Sequence, residues 1–185
     1  MRVIAGTARR LQLITLPGEE TRPTTDRIKE TLFNILAPEV PGARFLDLFA
    51  GSGGIGIEAL SRGARRAVFV EHNRKAAECI RKNLETTHFT DAASLMVTDA
   101  DRAIRMLEGK EKFDIVFLDP PYGKGLERQV LENPAFPSLL SEDALIIVEA
   151  SLQTRFDYLA EAGYCLERRK EYKTNMHVFI RRNEQ

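Results

Sequence analysis

Two stretches of the chain carry residue types at spacings that could do chemistry. The first runs Asp47-Leu48-Phe49-Ala50-Gly51-Ser52-Gly53-Gly54-Ile55-Gly56, where an apolar segment starting at Phe45 breaks into glycines and resumes as Ile57-Glu58-Ala59-Leu60. A short apolar run followed by helical spacing reads as a buried strand turning into a helix. Gly supplies the positive φ that such a turn needs and keeps Cβ atoms away from a ligand, while the first N–H groups of the helix face outward. Gly51-x-Gly53-x-x-Gly56 also fits the nucleotide-binding glycine pattern, with Glu71 twenty residues after Gly51 where an acid should hold a ribose hydroxyl. The competing reading is that the glycines only permit tight helix–strand packing. Asp47 argues against a pyrophosphate, because a buried unpaired carboxylate beside one is costly. It suits a ligand with a cationic end, unless a nearby donor pairs with it.

The second stretch, Asp119-Pro120-Pro121-Tyr122, is the more specific. Two prolines remove N–H donors and fix φ, so the local carbonyls stay in place as acceptors. Asp119 adds a charged acceptor and Tyr122 a flat face. Acceptors converging beside an aromatic plane describe a receptor for a planar amine, which stacks while its N–H groups are held. Such orientation can aim the nitrogen lone pair at an electrophilic carbon, with no metal and no covalent nucleophile. The alternative is a rigid surface turn.

The elements that must position these residues alternate along the chain. Strand-like Ala67–Val70, Ser94–Val97, Phe113–Leu118 and Leu145–Val148 are separated by helical patterns, including one begun by Asn73 and one carrying Ala103, Ile104 and Leu107. A further helix is expected around Phe156 and Leu159. Repeated strand–helix units imply an α/β fold, a doubly wound and mostly parallel sheet with helices on both faces. Tyr164–Leu166 and Met176–Ile180 are too close for a crossover and should pair antiparallel. Ligands bind at the carboxyl ends of strands in such sheets, which puts the Gly51 loop, Glu71, Asp99 and Asp119 on one rim. Asp99 could equally cap the helix after it.

Before this core, Arg2–Ile4 and Leu11–Ile14 suggest a β-hairpin, and residues 1–18 hold three arginines and no acid. Arg9 and Arg10 could dock a nucleic acid, or could simply be solvated. Arg22-Pro23-Thr24-Thr25-Asp26 then leads into a helix capped by Thr25 or Asp26, with Ile28, Leu32, Ile35 and Leu36 as its apolar stripe. The 185 residues fit one domain, with 1–20 as a basic extension and 21–185 as the catalytic core. With 43% hydrophobic and 29% charged residues the composition is that of a globular protein. The 27 basic and 27 acidic side chains cancel, so polyanion contacts must come from local patches. Cys79 and Cys165 fit neither a disulfide framework nor a metal cluster. No apolar run of about 18 residues is present, and the expectation is a cytoplasmic monomer with no membrane contact and no metal.

Asp47-x-Phe49-x-Gly51-x-Gly53, Glu71, Asp99 and Asp119-Pro120-Pro121-Tyr122 resemble, in that order, the class I S-adenosylmethionine-dependent amino-methyltransferases. Arg22-Pro23-Thr24-Thr25-Asp26-Arg27-Ile28-Lys29-Glu30-Thr31-Leu32-Phe33-Asn34, together with Asp47–Gly53, resembles the RsmD family of bacterial enzymes over nearly the whole chain. That family methylates the N2 amine of a guanine in 16S ribosomal RNA. The resemblance implies that Asp47 and the loop Gly51, Ser52 and Gly53 hold the methionine part of S-adenosyl-L-methionine. Glu71 would take the ribose and Asp99 with Ala100 the adenine, Phe49, Ala50 and His72 would also belong to the cofactor site, and Thr25 would lie near the cofactor. Asp119, Pro120, Pro121 and Tyr122 would hold the guanine, with Arg9, Arg10 and Arg22 on the RNA. The partner would be 16S ribosomal RNA or the assembling small subunit. A DNA adenine or protein-amide methyltransferase shares the four-residue motif. An NAD-binding oxidoreductase leaves that motif unused, and a non-catalytic RNA-binding module should have lost one of the two intact stretches.

Overall fold

The computed structural model describes residues 1–17 and 23–183, apart from the side chains of 23–25. Arg22 therefore lies outside the described residues, as does the side chain of Thr25. The elements are α1 (Pro23–Leu36), β1 (Arg44–Asp47), α2 (Gly54–Ser61), β2 (Arg66–Val70), α3 (Arg74–Thr87), β3 (Ala93–Met96), α4 (Ala100–Leu107), β4 (Phe113–Leu118), α5 (Leu126–Leu131), β5 (Leu140–Ser151), β6 (Tyr164–Glu171) and β7 (Asn175–Arg182). They form one seven-stranded sheet in the order β3-β2-β1-β4-β5-β7-β6. The first five strands run parallel, and β7 pairs antiparallel with both β5 and β6.

Both faces of the sheet are covered, and the two-residue strand period divides the core accordingly. Phe45, Phe69, Ile115, Phe117, Ile147 and Phe179 face α1, α2 and α3. Leu46, Leu48, Val68, Val116, Ile146 and Val178 face α4, α5 and the segment around Tyr158. Phe33 joins Leu32 and Leu36 as the fully buried stripe of α1, while Ile28 and Ile35 are only half-buried.

Three sequence expectations change in detail. The helix expected around Phe156 and Leu159 is a run of turns with Ala162 N–H bonded to the Tyr158 carbonyl at 3.1 Å. The run ends at Gly163, which has φ +87°. Helix α1 starts at Pro23, so Thr25 and Asp26 sit in its first turn rather than at its cap. The N-terminal hairpin is a ribbon with a single bridge, Arg2 opposite Gln12, closed by Val3 N–H to Leu11 O (3.0 Å) and Arg10 N–H to Val3 O (2.9 Å).

That ribbon is also bonded to the core. Glu58 of α2 is fully buried and accepts the Ile4 and Ala5 N–H groups at 2.9 and 3.0 Å. It also pairs with Arg62 at 2.9 Å and with the buried Lys29 ammonium at 3.5 Å. Asn83 of α3 ties the other end, accepting from Ile14 N–H (2.8 Å) and donating to the Ile14 and Ser52 carbonyls (2.9 Å each).

Candidate active site

The turn between β1 and α2 adopts the backbone its glycines permit: Gly51 has φ +56° and Gly53, the N-cap of α2, φ +87°. A Cβ on Gly51 would meet nothing within 4 Å, so that side of the loop opens onto a cavity. At Gly56 a Cβ would come within 2.3 Å of the Phe69 ring, so this third glycine serves helix–strand packing. The packing reading of the glycine pattern therefore applies at Gly56, while Gly51 leaves room beside the loop.

Two adjoining cavities lie along the carboxyl ends of the strands and share Phe49, Glu71, His72 and Pro121. The smaller, about 390 Å³, is mainly apolar, with Leu48, Val70, Ile104 and Val130 in its walls and Asp99 and Ala100 at its edge. The larger, about 710 Å³, collects Asp47, Ala50, Gly51 and Ser52 from the glycine turn and Asp119, Pro120 and Tyr122 from the proline loop.

Asp47 is 1% exposed, and its one close donor is the Phe49 N–H at 3.3 Å. Desolvation raises its carboxyl to about 7, against the pull of that N–H and with a push from Glu71. A buried acid this poorly paired at a cavity wall is matched by a ligand cation. Glu71 is buried and bonded on both oxygens, to Gly51 N–H and to Asn73 N–H, each at 2.8 Å. A carboxylate offers about four lone-pair sites, so hydroxyl groups can still be received. Asp99 does cap α4, accepting Arg102 N–H at 2.8 Å through Oδ1, which leaves Oδ2 for a ligand. His72 is exposed at the shared wall and lies 3.3 Å from Glu71.

Asp119 is open to the cleft yet densely surrounded by protein. Its carboxyl is held well above the usual carboxylate range, first by desolvation and then by the like charges of Glu149 and Asp47. Tyr122, 47% exposed, presents its ring at the mouth and reaches Glu149 with its hydroxyl at 3.5 Å. Arg9 and Arg10 are exposed on the ribbon but line neither cavity.

Sequence reading missed a group at the end of β5 and the start of β7. Glu149, Asn175 and His177 all line the larger cavity. Glu149 accepts Asn175 Nδ2–H at 3.0 Å and meets His177 Nε2 at 2.9 Å. Glu149 follows Leu145–Val148 as the other rim acids follow their strands, and that signal could have found it. His177, by contrast, has no local signal inside the apolar run of β7. Among the described residues, no group of three or more His, Cys, Asp and Glu is placed to hold a metal ion, and no helix is long and apolar enough to cross a membrane.

Comparison with known proteins places these features in a family. The ribosomal RNA small subunit methyltransferase D of Escherichia coli strain K12 is 36% identical over 170 residues, which cover 92% of this chain and 84% of that one. The protein of the same name from Haemophilus influenzae is 39% identical over 150 residues, 80% and 78% of the two chains. The solved structure of yhhF from Escherichia coli superposes with a TM-score of 0.82 at 35% identity, covering 100% of this chain and 99% of that one. The family model described as Conserved hypothetical protein 95 matches residues 1–180, and the chain belongs to that family, the RsmD family whose motifs it carries.

Proposed function

We propose that this chain is an S-adenosylmethionine-dependent methyltransferase acting on the exocyclic N2 amine of a guanine in 16S ribosomal RNA, free or in the assembling small subunit. The observation that carries the reading is that Asp47 and Asp119 line one cavity: a buried acid held by a single backbone N–H among the described residues, beside a glycine turn, and the acid of a candidate amine receptor. The relatives named for small-subunit ribosomal RNA methylation supply the substrate class.

The residues present fit the cofactor on their own chemistry. Asp47 meets the cationic methionine end, and the Gly51 loop approaches it without a Cβ. Glu71 and His72 receive the ribose at the shared wall, while Asp99 and Ala100 border the apolar cavity that takes the adenine. When bound, S-adenosylmethionine supplies a methyl group on a sulfonium, an electrophile open to a neutral amine. The chain orients that amine. Asp119 accepts an N2–H and turns the nitrogen lone pair toward the methyl group, Pro120 and Pro121 keep the loop from relaxing, and the Tyr122 face stacks on the base. As the bond from N2 to the methyl carbon would form, the methyl–sulfur bond would break to leave a neutral thioether and N2 would shed a proton, and the Asp119 carboxylate that accepts its N–H is the group of this chain positioned to take it.

Arg9 and Arg10 give the ribbon its local positive charge, which supports a backbone contact with RNA. A ribosomal RNA substrate supports action in the cytoplasm, and action as a monomer is part of the same proposal. Nucleoside analysis after incubation with labelled S-adenosylmethionine and small-subunit RNA tests the proposal. It predicts N2-methylguanosine, and label in any other nucleoside would refute it.

A further inference from the structure

The amine receptor accounts for Asp119 and Tyr122 but leaves a second carboxylate unused. Glu149 stands at the carboxyl end of β5, next to β4, and its side chain is 20% exposed. It is held by groups from β7, with Asn175 Nδ2–H on Oε1 at 3.0 Å and His177 Nε2 on Oε2 at 2.9 Å. His177 is itself fixed: Nδ1 lies 3.2 Å from the Tyr172 hydroxyl, and its ring packs edge-on against Phe117 with centroids 6.1 Å apart. The network is satisfied when Tyr172 donates to Nδ1 and Nε2–H donates to Glu149.

This is more support than a surface carboxylate needs, and it does not saturate the acid. Of about four lone-pair sites, one is filled by Asn175 and one by His177, while the Tyr122 hydroxyl at 3.5 Å is at the limit of a bond. Glu149 therefore keeps acceptor capacity toward the cavity. It is also the leading like charge acting on Asp119, so two carboxylates face the space in which the base would lie.

Resting on the methyltransferase reading above, we propose that Glu149 determines base specificity by accepting the N1–H of the target guanine while Asp119 holds its N2 amine. Three RNA bases carry an exocyclic amine. Adenine places the ring acceptor N1 beside that amine, and cytosine places the acceptor N3 there. Guanine alone places a ring N–H beside it. A second fixed carboxylate is thus paired by guanine and meets a lone pair on the other two, which puts two acceptors against each other in the filled site. His177 and Asn175 are positioning residues for Glu149.

The test uses 2-aminopurine, which keeps the N2 amine but has a bare acceptor at ring position N1. The methylated guanine is first mapped in small-subunit RNA treated with the wild-type protein, and RNA is then made with 2-aminopurine at that position. Wild-type kcat/KM should fall by at least about 10² on the analogue, as expected when a site built for an N–H meets a base lacking it. Glu149→Leu, which has neither acceptor nor donor, should lower kcat/KM on guanine by a similar factor yet change it on 2-aminopurine by less than about threefold, because both changes remove the same hydrogen bond. Equal losses on both bases in Glu149→Leu would assign the residue a purely structural role and overturn the proposal. So would equal wild-type rates on the two bases, a result decisive even if the variant fails to fold, and one that leaves guanine methylation itself standing. No wild-type methylation of guanine would instead remove the reading on which the proposal rests.

Discussion

Glu71 Oε2 accepts the Gly51 N–H at 2.8 Å, so the acid at the end of β2 holds the glycine turn at the end of β1. The residue expected to receive the ribose therefore also fixes the loop expected to receive the methionine end. Glu71→Ala removes both functions, and the loss in cofactor affinity should be about 1–3 kcal/mol or slightly more, the range for hydrogen bonds to a charged group. Calorimetric titration with S-adenosylmethionine checks this. Unchanged affinity would remove Glu71 from the cofactor site.

Asp47 makes cofactor binding depend on pH. Its carboxyl is raised to about 7 in the free protein. The folded state therefore holds a proton that the unfolded state releases near pH 4, so this group's contribution to stability falls as pH rises from about 4 to about 7. A cationic ligand favours the ionised form. Binding below about pH 7 should release a proton, and cofactor affinity should rise up to about tenfold per pH unit until it levels off. Asp47→Asn should bind weakly and flatten the profile. Titrations across pH in buffers of different ionisation enthalpy would show the proton release, and its absence would contradict the assignment.

Glu58 makes a separate prediction about stability. It is fully buried and bonds two N–H groups of the ribbon, the Arg62 guanidinium and the Lys29 ammonium. Burial already lowers the Lys29 ammonium from the ordinary range, with Glu58 as the leading opposing pull. Glu58→Ala leaves both N–H groups unpaired and takes away the Lys29 ammonium's buried ion pair, leaving it the Arg2 carbonyl at 2.6 Å, and should cost about 3–5 kcal/mol. Denaturant unfolding measures it. A loss under about 1 kcal/mol would mean that the ribbon is not anchored through Glu58.

Much of this site is legible in the sequence because a parallel sheet imposes a pattern. Its strands must be apolar, and the first acid after each one lands on the cavity-lined rim, which located Glu71, Asp99 and Asp119. Glu149 follows the same rule but sits inside β5, where pairing with β7 carries the strand on to Ser151. His177 and Asn175 reach the site only through that antiparallel register, which no local spacing encodes. The docking of the ribbon was hidden for a related reason. Glu58 reads as one polar residue on an apolar helix, and its partners Ile4 and Ala5, bonded at 2.9 and 3.0 Å, lie more than fifty positions away in the chain. The turns around Tyr158 carry helical spacing, yet only separate turns close there, such as Leu159 N–H on Phe156 O and Ala162 N–H on Tyr158 O.

Arg9 and Arg10 are exposed on the ribbon and outside both cavities, so their effect should be confined to RNA. Arg9→Glu with Arg10→Glu should raise the KM for RNA and reduce the slope of log K against log salt by roughly 0.7–0.9 for each phosphate these arginines neutralise. Cofactor affinity should stay at the wild-type value. An RNA KM and salt slope equal to wild type would place the docking surface elsewhere.

Whether the proline loop orients a guanine N2 amine for methyl transfer is tested most directly by single-turnover methylation of small-subunit RNA with labelled S-adenosylmethionine. With the wild-type protein the label should appear as N2-methylguanosine. Asp119→Ala should slow that single turnover by about 10²–10³, as for loss of one preorganised polar group, with cofactor affinity nearly unchanged. Tyr122→Phe, which keeps the stacking face, should remain close to wild type. A wild-type rate in Asp119→Ala, or label in any nucleoside other than N2-methylguanosine, would contradict that role for the loop.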